Sequence, residues 1–235
     1  MTPVLTDAWL TCQLGKSCYK LVGSISGSTL RSLPLEPCLV SAEVNTSDLE
    51  SIMVLSSNGF YLVSEMVVFE VLAQSLSIIE PSSHADITFA TPGDAEMVKC
   101  LAERAFSADR FHIDPGIDNQ LASKIKGEWA GNFFSGQRGQ WMIVARLQDR
   151  VIGFIQVLMK ANDFLVIDLI AVDNAFHGKG LAKAMICYMA HNCGSELSNI
   201  NVGTQVCNVT ACNLYRSLGF RLVSSYNVFH KHILG

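Results

Sequence analysis

The sequence predicts a mixed α/β (α+β) fold: a mixed central sheet flanked by helices and preceded by a smaller βαβ-like unit. Three observations carry this. A nearly unbroken apolar run, Phe164 to Val172, has the length and branched composition of a buried strand. The glycine-punctuated stretch His177-Gly178-Lys179-Gly180-Leu181-Ala182-Lys183 follows, and Leu181, Ala184, Met185, Tyr188 and Met189 then recur at helical spacing, giving strand, turn and helix. Farther on, Asn208 is a good helix cap. Ala211, Leu214, Tyr215 and Leu218 share one helical face, and Gly219 stands where a left-handed residue would end that helix.

With 235 residues, 49% of them apolar and 16% charged, the chain has ample material for one large domain or two small ones, and disorder is not expected. A net charge of −4 supplies no basic stripe, so a nucleic-acid partner is not expected. The N-terminus lacks a basic region followed by an apolar core. The longest apolar stretch, Val151 to Val172, is broken by Lys160, Asn162 and Asp163, so we expect a soluble cytoplasmic protein with no membrane partner. Eight cysteines show neither a Cys-x-x-Cys pair nor a histidine at ligand spacing, so no metal is expected, and Cys187 and Cys212 read as small core residues.

In chain order, Tyr19–Ser24 and Cys38–Val44 read as strands. Thr46-Ser47-Asp48 caps a helix that runs to Ser57, Asn58-Gly59 turns, and Phe60 to Leu72 returns as a strand. The corner Asn58-Gly59-Phe60-Tyr61-Leu62-Val63 echoes Leu218-Gly219-Phe220-Arg221-Leu222-Val223, which suits a degenerate repeat or simply two helix-to-strand exits. Ser82-Ser83-His84 marks a linker, dividing the chain into 1–82 and 83–235. The second part opens with a strand at Ile87–Ala90 and helices at Pro92–Phe106 and Asp118–Phe134. A hairpin around Asp149-Arg150 joins Trp141–Leu147 to Val151–Met159, and after the central strand and its helix come Ile200–Val206, the Asn208 helix and Phe220–Ile233. Between the first two helices, Phe106 to Pro115 is polar and aromatic and too long for a plain connector, which points to a functional segment.

A glycine turn that opens a helix leaves backbone N–H groups unpaired and lets an anion approach. The turn here is neither of two familiar phosphate loops. The residues a Walker A loop needs around its Gly-Lys-Ser/Thr are missing, and Lys183 stands where a dinucleotide fingerprint requires glycine or alanine. What remains resembles the acyl-CoA loop of the GNAT acetyltransferases, Arg/Gln-x-x-Gly-x-Gly/Ala, with His177, Gly180 and Ala182 at its named positions. Asn208 to Phe220 resembles their second signature, Asn-x-x-Ala-x-x-Leu-Tyr-x-x-x-Gly-Phe, at every named position. His177 departs from the pattern: histidine carries full charge only below about pH 6.5, so its contact with a pyrophosphate is weaker than arginine's at neutral pH. More narrowly, Ala105-Phe106-Ser107, Arg110-Phe111, the helix around Trp129 and Val202-Gly203-Thr204-Gln205 are similar to the bacterial dTDP-fucosamine acetyltransferases, which acetylate an amino sugar carried on a nucleotide.

The resemblance implies acetyl-CoA as co-substrate, with the backbone of Leu169, Ile170, Ala171 and Val172 along the pantetheine arm. It also places the turn from His177 to Lys183 on the pyrophosphate, Asn208 near the arm, and Tyr215 beside the sulfur as general acid. Asp168, inside an otherwise apolar strand, is a candidate general base or a hydrogen-bonded structural carboxylate, and Glu128 or an ordered water could serve instead. Arg110 and His112 are candidate acceptor contacts. The expected activity is N-acetylation of a small primary amine such as a nucleotide-linked amino sugar. A protein or peptide acceptor and a non-catalytic acyl-CoA module are the alternatives, and a homodimer is left open.

Overall fold

In a computed structural model, residues 4–76, 85–160, 164–194 and 198–234 are described. The N-terminal region contains β1 (Val4–Thr6), α1 (Ala8–Leu14), β2 (Ser17–Leu21), α2 (Gly27–Arg31), β3 (Cys38–Asn45), α3 (Leu49–Ser57) and β4 (Tyr61–Leu72). Then come β5 (Asp86–Phe89), α4 (Ala95–Ala105), α5 (Arg110–Ile113), α6 (Asn119–Gly131), β6 (Trp141–Leu147), β7 (Arg150–Lys160) and β8 (Phe164–Val172). The chain closes with α7 (Leu181–Asn192), β9 (Asn199–Gln205), α8 (Val209–Ser217) and β10 (Arg221–Ile233).

All ten strands lie in one mixed sheet, ordered β1-β2-β3-β10-β4-β9-β8-β7-β6-β5. Only β2/β3 and β8/β9 pair in parallel. Because β10 runs antiparallel to both β3 and β4, β3-α3-β4 is a βαβ unit with a foreign strand in its gap. By the same logic β9-α8-β10 is a second unit, with β4 in its gap. The two units interlock. The repeated corner is the same in both: Gly59 (φ 79°) and Gly219 (φ 84°) take the left-handed conformation, and the following Phe60 and Phe220 are buried. The expected linker and domain boundary, 82–84, lie outside the described residues, but one sheet spans the regions on either side of them.

Local grammar explains most elements. Asp48 caps α3 by accepting from Ser51 N–H (3.0 Å), and Asp118 and Asn208 cap α6 and α8 in the same way. The Pro92 helix begins as a single 3₁₀ turn, in which Thr91 and Asp94 form a capping box before α4. The hairpin turn falls on Gln148-Asp149, with Gln148 at φ 55°. Two short helices, α1 and α2, interrupt the first eighty residues where no helix is expected, and β2 ends at Leu21 instead of Ser24.

Two apolar layers cover the sheet in its C-terminal part. Met185, Ile186 and Met189 of α7 pack with Ile152 and Ile155 of β7 and with Tyr215 of α8, whereas Val98, Leu101 and Ala130 of α4 and α6 pack with Val144 and Phe154. The N-terminal core contains Phe229 of β10 among residues from β2, β3 and α3, so the last strand of the chain completes the first core. No described helix is long and apolar enough to cross a membrane.

Candidate active site

The site forms where the sheet comes apart. β8 pairs with β9 only from Phe164/Asn199 to Ile167/Val202, and beyond that the two strands separate. On its other side, β8 pairs with β7 as Leu169↔Gln156 and then Ile167↔Val157, so Asp168 is the extra residue of a β-bulge. Residues 168–172 therefore present an edge with no β9 partner. A cavity of about 350 Å³ occupies the gap.

At the end of β8 the chain turns through Asn174–Phe176 into the glycine loop. Gly178 (φ 74°) and Gly180 (φ 75°) are both left-handed, and a Cβ built on Gly178 would meet nothing. Gly180 is the N-cap of α7 and has no side chain to offer, so the first amides of that helix have no side-chain cap. The His177 ring turns back to the end of β8. Its Nε2–H donates to the Val172 carbonyl (2.9 Å) and ties the loop to the strand end. The Lys179 ammonium lies over the Phe176 ring at 4.8 Å.

The opposite wall is α8. Asn208 accepts from Ala211 N–H (3.1 Å) and lines the cavity. Tyr215, 2% exposed, packs against Phe69 and Phe220, and its hydroxyl has no hydrogen-bond partner among the described residues. Burial pushes that hydroxyl's pKa well above the ordinary tyrosine value, so it stays protonated.

Leu169 and Ile170 line the cavity, whereas Ala171 and Val172 lead from it to the loop. Asp168 lines it too, but as an anchor. Its oxygens accept from Arg138 Nε and Nη2 (2.6 Å each) and from Trp129 Nε1–H (2.8 Å), so it is a hydrogen-bonded carboxylate. Glu128 pairs with Lys99 (2.8 Å) and is not among the cavity-lining residues. Arg110 does line the cavity and approaches Glu43 at 3.8 Å. His112 does not: its Nδ1 lies 2.9 Å from Asp109 Oδ2 and its Nε2 3.2 Å from Ser123 Oγ, behind the wall, so a direct acceptor contact is not what the geometry gives.

Several lining residues come from places that local patterns do not connect. Glu43, Ser64 and Met66 belong to the N-terminal region, and Tyr226 and Val228 to the last strand. From α6, Lys126 sits 8% exposed with its ammonium over Phe106 (5.1 Å), Trp129 (5.1 Å) and Phe111 (5.7 Å), and Asp109 lies 3.7 Å away. One sequence signal pointed to it: Ala122, Ile125, Lys126 and Trp129 follow helical spacing, so the lysine holds a position on an otherwise apolar face. A smaller recess of about 310 Å³, lined by Trp9, Asn132 and Arg138, shares Arg110 and Trp129 with the main cavity. No group of three or more His, Cys, Asp or Glu residues able to hold a metal occurs among the described residues.

A helix start with no side-chain cap behind two left-handed glycines, a strand edge without a β9 partner, a protonated phenol and a charged chamber together suit transfer of a group from an anionic carrier to a polar acceptor. Comparison with known proteins agrees with this. The sequence profile of the acetyltransferase (GNAT) family matches residues 102–220. The chain is 34% identical over 140 residues to the spore coat polysaccharide biosynthesis protein SpsD of Bacillus subtilis (strain 168), covering 59% of this chain and 48% of that protein. It is 35% identical over 79 residues to a streptothricin acetyltransferase of Escherichia coli, covering 33% and 45%. The chain thus spans about half the length of these curated relatives. In fold it is similar to a GCN5-related N-acetyltransferase from Kribbella flavida, with a TM-score of 0.62 at 13% identity over 92% of this chain and 81% of that one.

Proposed function

We propose, because this chain belongs to the acetyltransferase (GNAT) family, that it is an acetyl-CoA-dependent N-acetyltransferase acting on a small primary amine, specifically an amino sugar carried on a nucleotide. The observation that carries the reading is the cavity between the parted strands β8 and β9, with the Tyr215 hydroxyl on one wall and charged groups at the other. Acetyl-CoA as co-substrate fits three features: the uncapped start of α7 behind Gly178 and Gly180 for its pyrophosphate, the unpaired edge of β8 for the amides of its pantetheine arm, and Asn208 beside that edge. His177 serves that cradle by holding the loop against Val172 instead of touching the phosphates.

In this reading the amine attacks the thioester carbonyl directly, a tetrahedral intermediate forms, and Tyr215 protonates the departing thiolate, whose own pKa is about 8.5. The neutral, buried phenol suits that task. Arg110 lines the cavity and suits a phosphate-bearing acceptor, while Glu43 and Asp109 suit an ammonium. The sugar assignment draws on the likeness to a polysaccharide biosynthesis protein.

The test incubates the protein with acetyl-CoA and dTDP-4-amino-4,6-dideoxygalactose and follows release of free thiol, with a lysine-containing peptide in parallel. Thiol release with the sugar nucleotide alone is the expected result. Turnover only with the peptide would move the acceptor to proteins. A thermal shift with desulfo-CoA but turnover of neither acceptor would leave an acyl-CoA-binding module.

A further inference from the structure

An acceptor amine reaches the cavity mostly as an ammonium and must lose a proton before it can attack, yet both carboxylate oxygens of Asp168 are committed to Arg138. The cavity holds one other basic group that is buried and not locked in a short ion pair. Lys126 Nζ stands among the rings of Phe106, Phe111 and Trp129, and the one carboxylate within 4 Å of it among the described residues is Asp109 at 3.7 Å. A line of polar atoms continues from there through Asp109 Oδ2, His112 Nδ1 (2.9 Å), His112 Nε2 and Ser123 Oγ (3.2 Å) to a partly exposed turn of α6.

We propose that Lys126 is the general base of this site and that Asp109, held by His112, is the positioning residue that orients it. The proposal rests on the acetyltransferase reading above. In the step, an N–H bond of the acceptor ammonium breaks and an Nζ–H bond forms. The freed nitrogen lone pair bonds to the thioester carbonyl carbon; on collapse the C–S pair goes to sulfur, which takes the Tyr215 proton. The second ammonium proton, released from the tetrahedral nitrogen, restores Tyr215. One proton remains on Lys126 and is lost to water once the product has left.

The surroundings hold the proton affinity of this lysine below that of an ordinary one. Burial lowers its proton affinity, and the guanidinium of Arg110 acts in the same direction, against Asp109 and the more distant Asp168, which favour the charged form. Burial among three rings separates Lys126 from an ordinary surface cation.

Two measurements decide it. In protein labelled with ¹³C-lysine, the Cε resonance lost in Lys126→Met should titrate below those of the other lysines, and this needs no acceptor. Titration together with the surface lysines would overturn the proposal whatever the acceptor is. With dTDP-4-amino-4,6-dideoxygalactose, Lys126→Met should lose about 10²- to 10⁴-fold in kcat, with an unchanged KM for acetyl-CoA and an unchanged desulfo-CoA thermal shift as the control for folding. Its rate should climb with pH toward wild type as the acceptor deprotonates in solution. Lys126→Arg, which keeps the charge but cannot give it up, should not rescue. Full rescue by arginine, or a wild-type pH profile in the methionine variant, would overturn the base role. If wild type acetylates neither probe, the acceptor assignment fails and the titration alone judges Lys126.

Discussion

Arg138 holds Asp168 by both carboxylate oxygens at 2.6 Å, and does so at the one residue of β8 that a bulge leaves outside the β7 register. The extra residue turns a charged side chain toward the cavity wall in a strand that is otherwise apolar, and the guanidinium, stacked on Trp129 at 4.8 Å, fixes that wall.

Asp168→Asn should therefore act on stability and positioning more than on proton transfer. The amide presents an NH₂ to donors that need an acceptor, at a cost on the order of 1–3 kcal/mol. Urea unfolding should show that loss, and the acid limb of the kcat/KM profile should stay in place. Disappearance of that limb with stability intact would restore Asp168 as the base.

The strand order predicts how the N-terminal region behaves. β10 is hydrogen-bonded to β3 on one side and β4 on the other, and its Phe229 fills the N-terminal core. A fragment of residues 85–235 would strip β10 of both neighbours and leave β9 an open edge. We expect it to be insoluble or to melt without a cooperative transition by circular dichroism. A cooperative melt raised by desulfo-CoA would mean that residues 1–84 are dispensable to the cofactor half.

How much of this was legible in the sequence depends on the range of the interaction. Asn208, Tyr215 and Gly219 are set by the grammar of one helix, with cap, buried face and left-handed stop, and each sits where its spacing put it. The glycine loop is equally local, and the His177 ring bonds a carbonyl only five residues back, although a backbone partner of this kind leaves no residue pattern to read. Glu43, Met66 and Tyr226 reach the cavity only because β10 threads between β3 and β4, which no local periodicity encodes. The charge of Asp168 stands out in an apolar run, but the bulge beneath it does not. Lys126 left a faint one, a charge on an apolar helical face.

Asp114 predicts a pH dependence of stability. Its carboxylate accepts from Tyr61 (2.7 Å), His230 Nδ1 (2.6 Å), His232 Nε2 (3.0 Å) and Gly116 N–H (2.8 Å), which pins the α5–α6 connection to β4 and β10. Burial alone would raise its pKa, but these donors outweigh it and hold the carboxyl well below the usual range. Buried His230 shifts downward, through burial first, and its Nε2 has no partner to receive a proton's bond. Both folded values thus lie below the unfolded ones, so the unfolded chain takes up protons first as pH falls. Stability should be full above about pH 6.5, decline below it as unfolded His230 protonates, and decline again below about pH 4 as unfolded Asp114 does. Thermal melts from pH 8 to 3 should show both stages. Asp114→Ala, which orphans four donors, should cost on the order of 3 kcal/mol at pH 7 and shrink the lower stage, leaving the part that Asp94 and Asp48, whose carboxyl pKa values are also lowered, contribute.

Tyr215 separates an enzyme from a binding module. Its ring is packed by Phe69 and Phe220 while its hydroxyl has no partner among the described residues, so Tyr215→Phe removes one oxygen and disturbs little else. Desulfo-CoA should raise the melting temperature of the variant as it does that of wild type. If the hydroxyl protonates the departing thiolate, kcat should fall by about 10²- to 10⁴-fold with the KM for acetyl-CoA nearly unchanged. The deficit should shrink with an acetyl thioester of a more acidic thiol, since a better leaving group needs less help, whereas a loss of packing would not depend on the leaving group. Stopped assays with acetyl-CoA and an acetyl thioester of lower thiol pKa, compared between wild type and variant, measure that difference. Equal deficits with both donors would remove Tyr215 from the proton path and leave it a wall of the cavity.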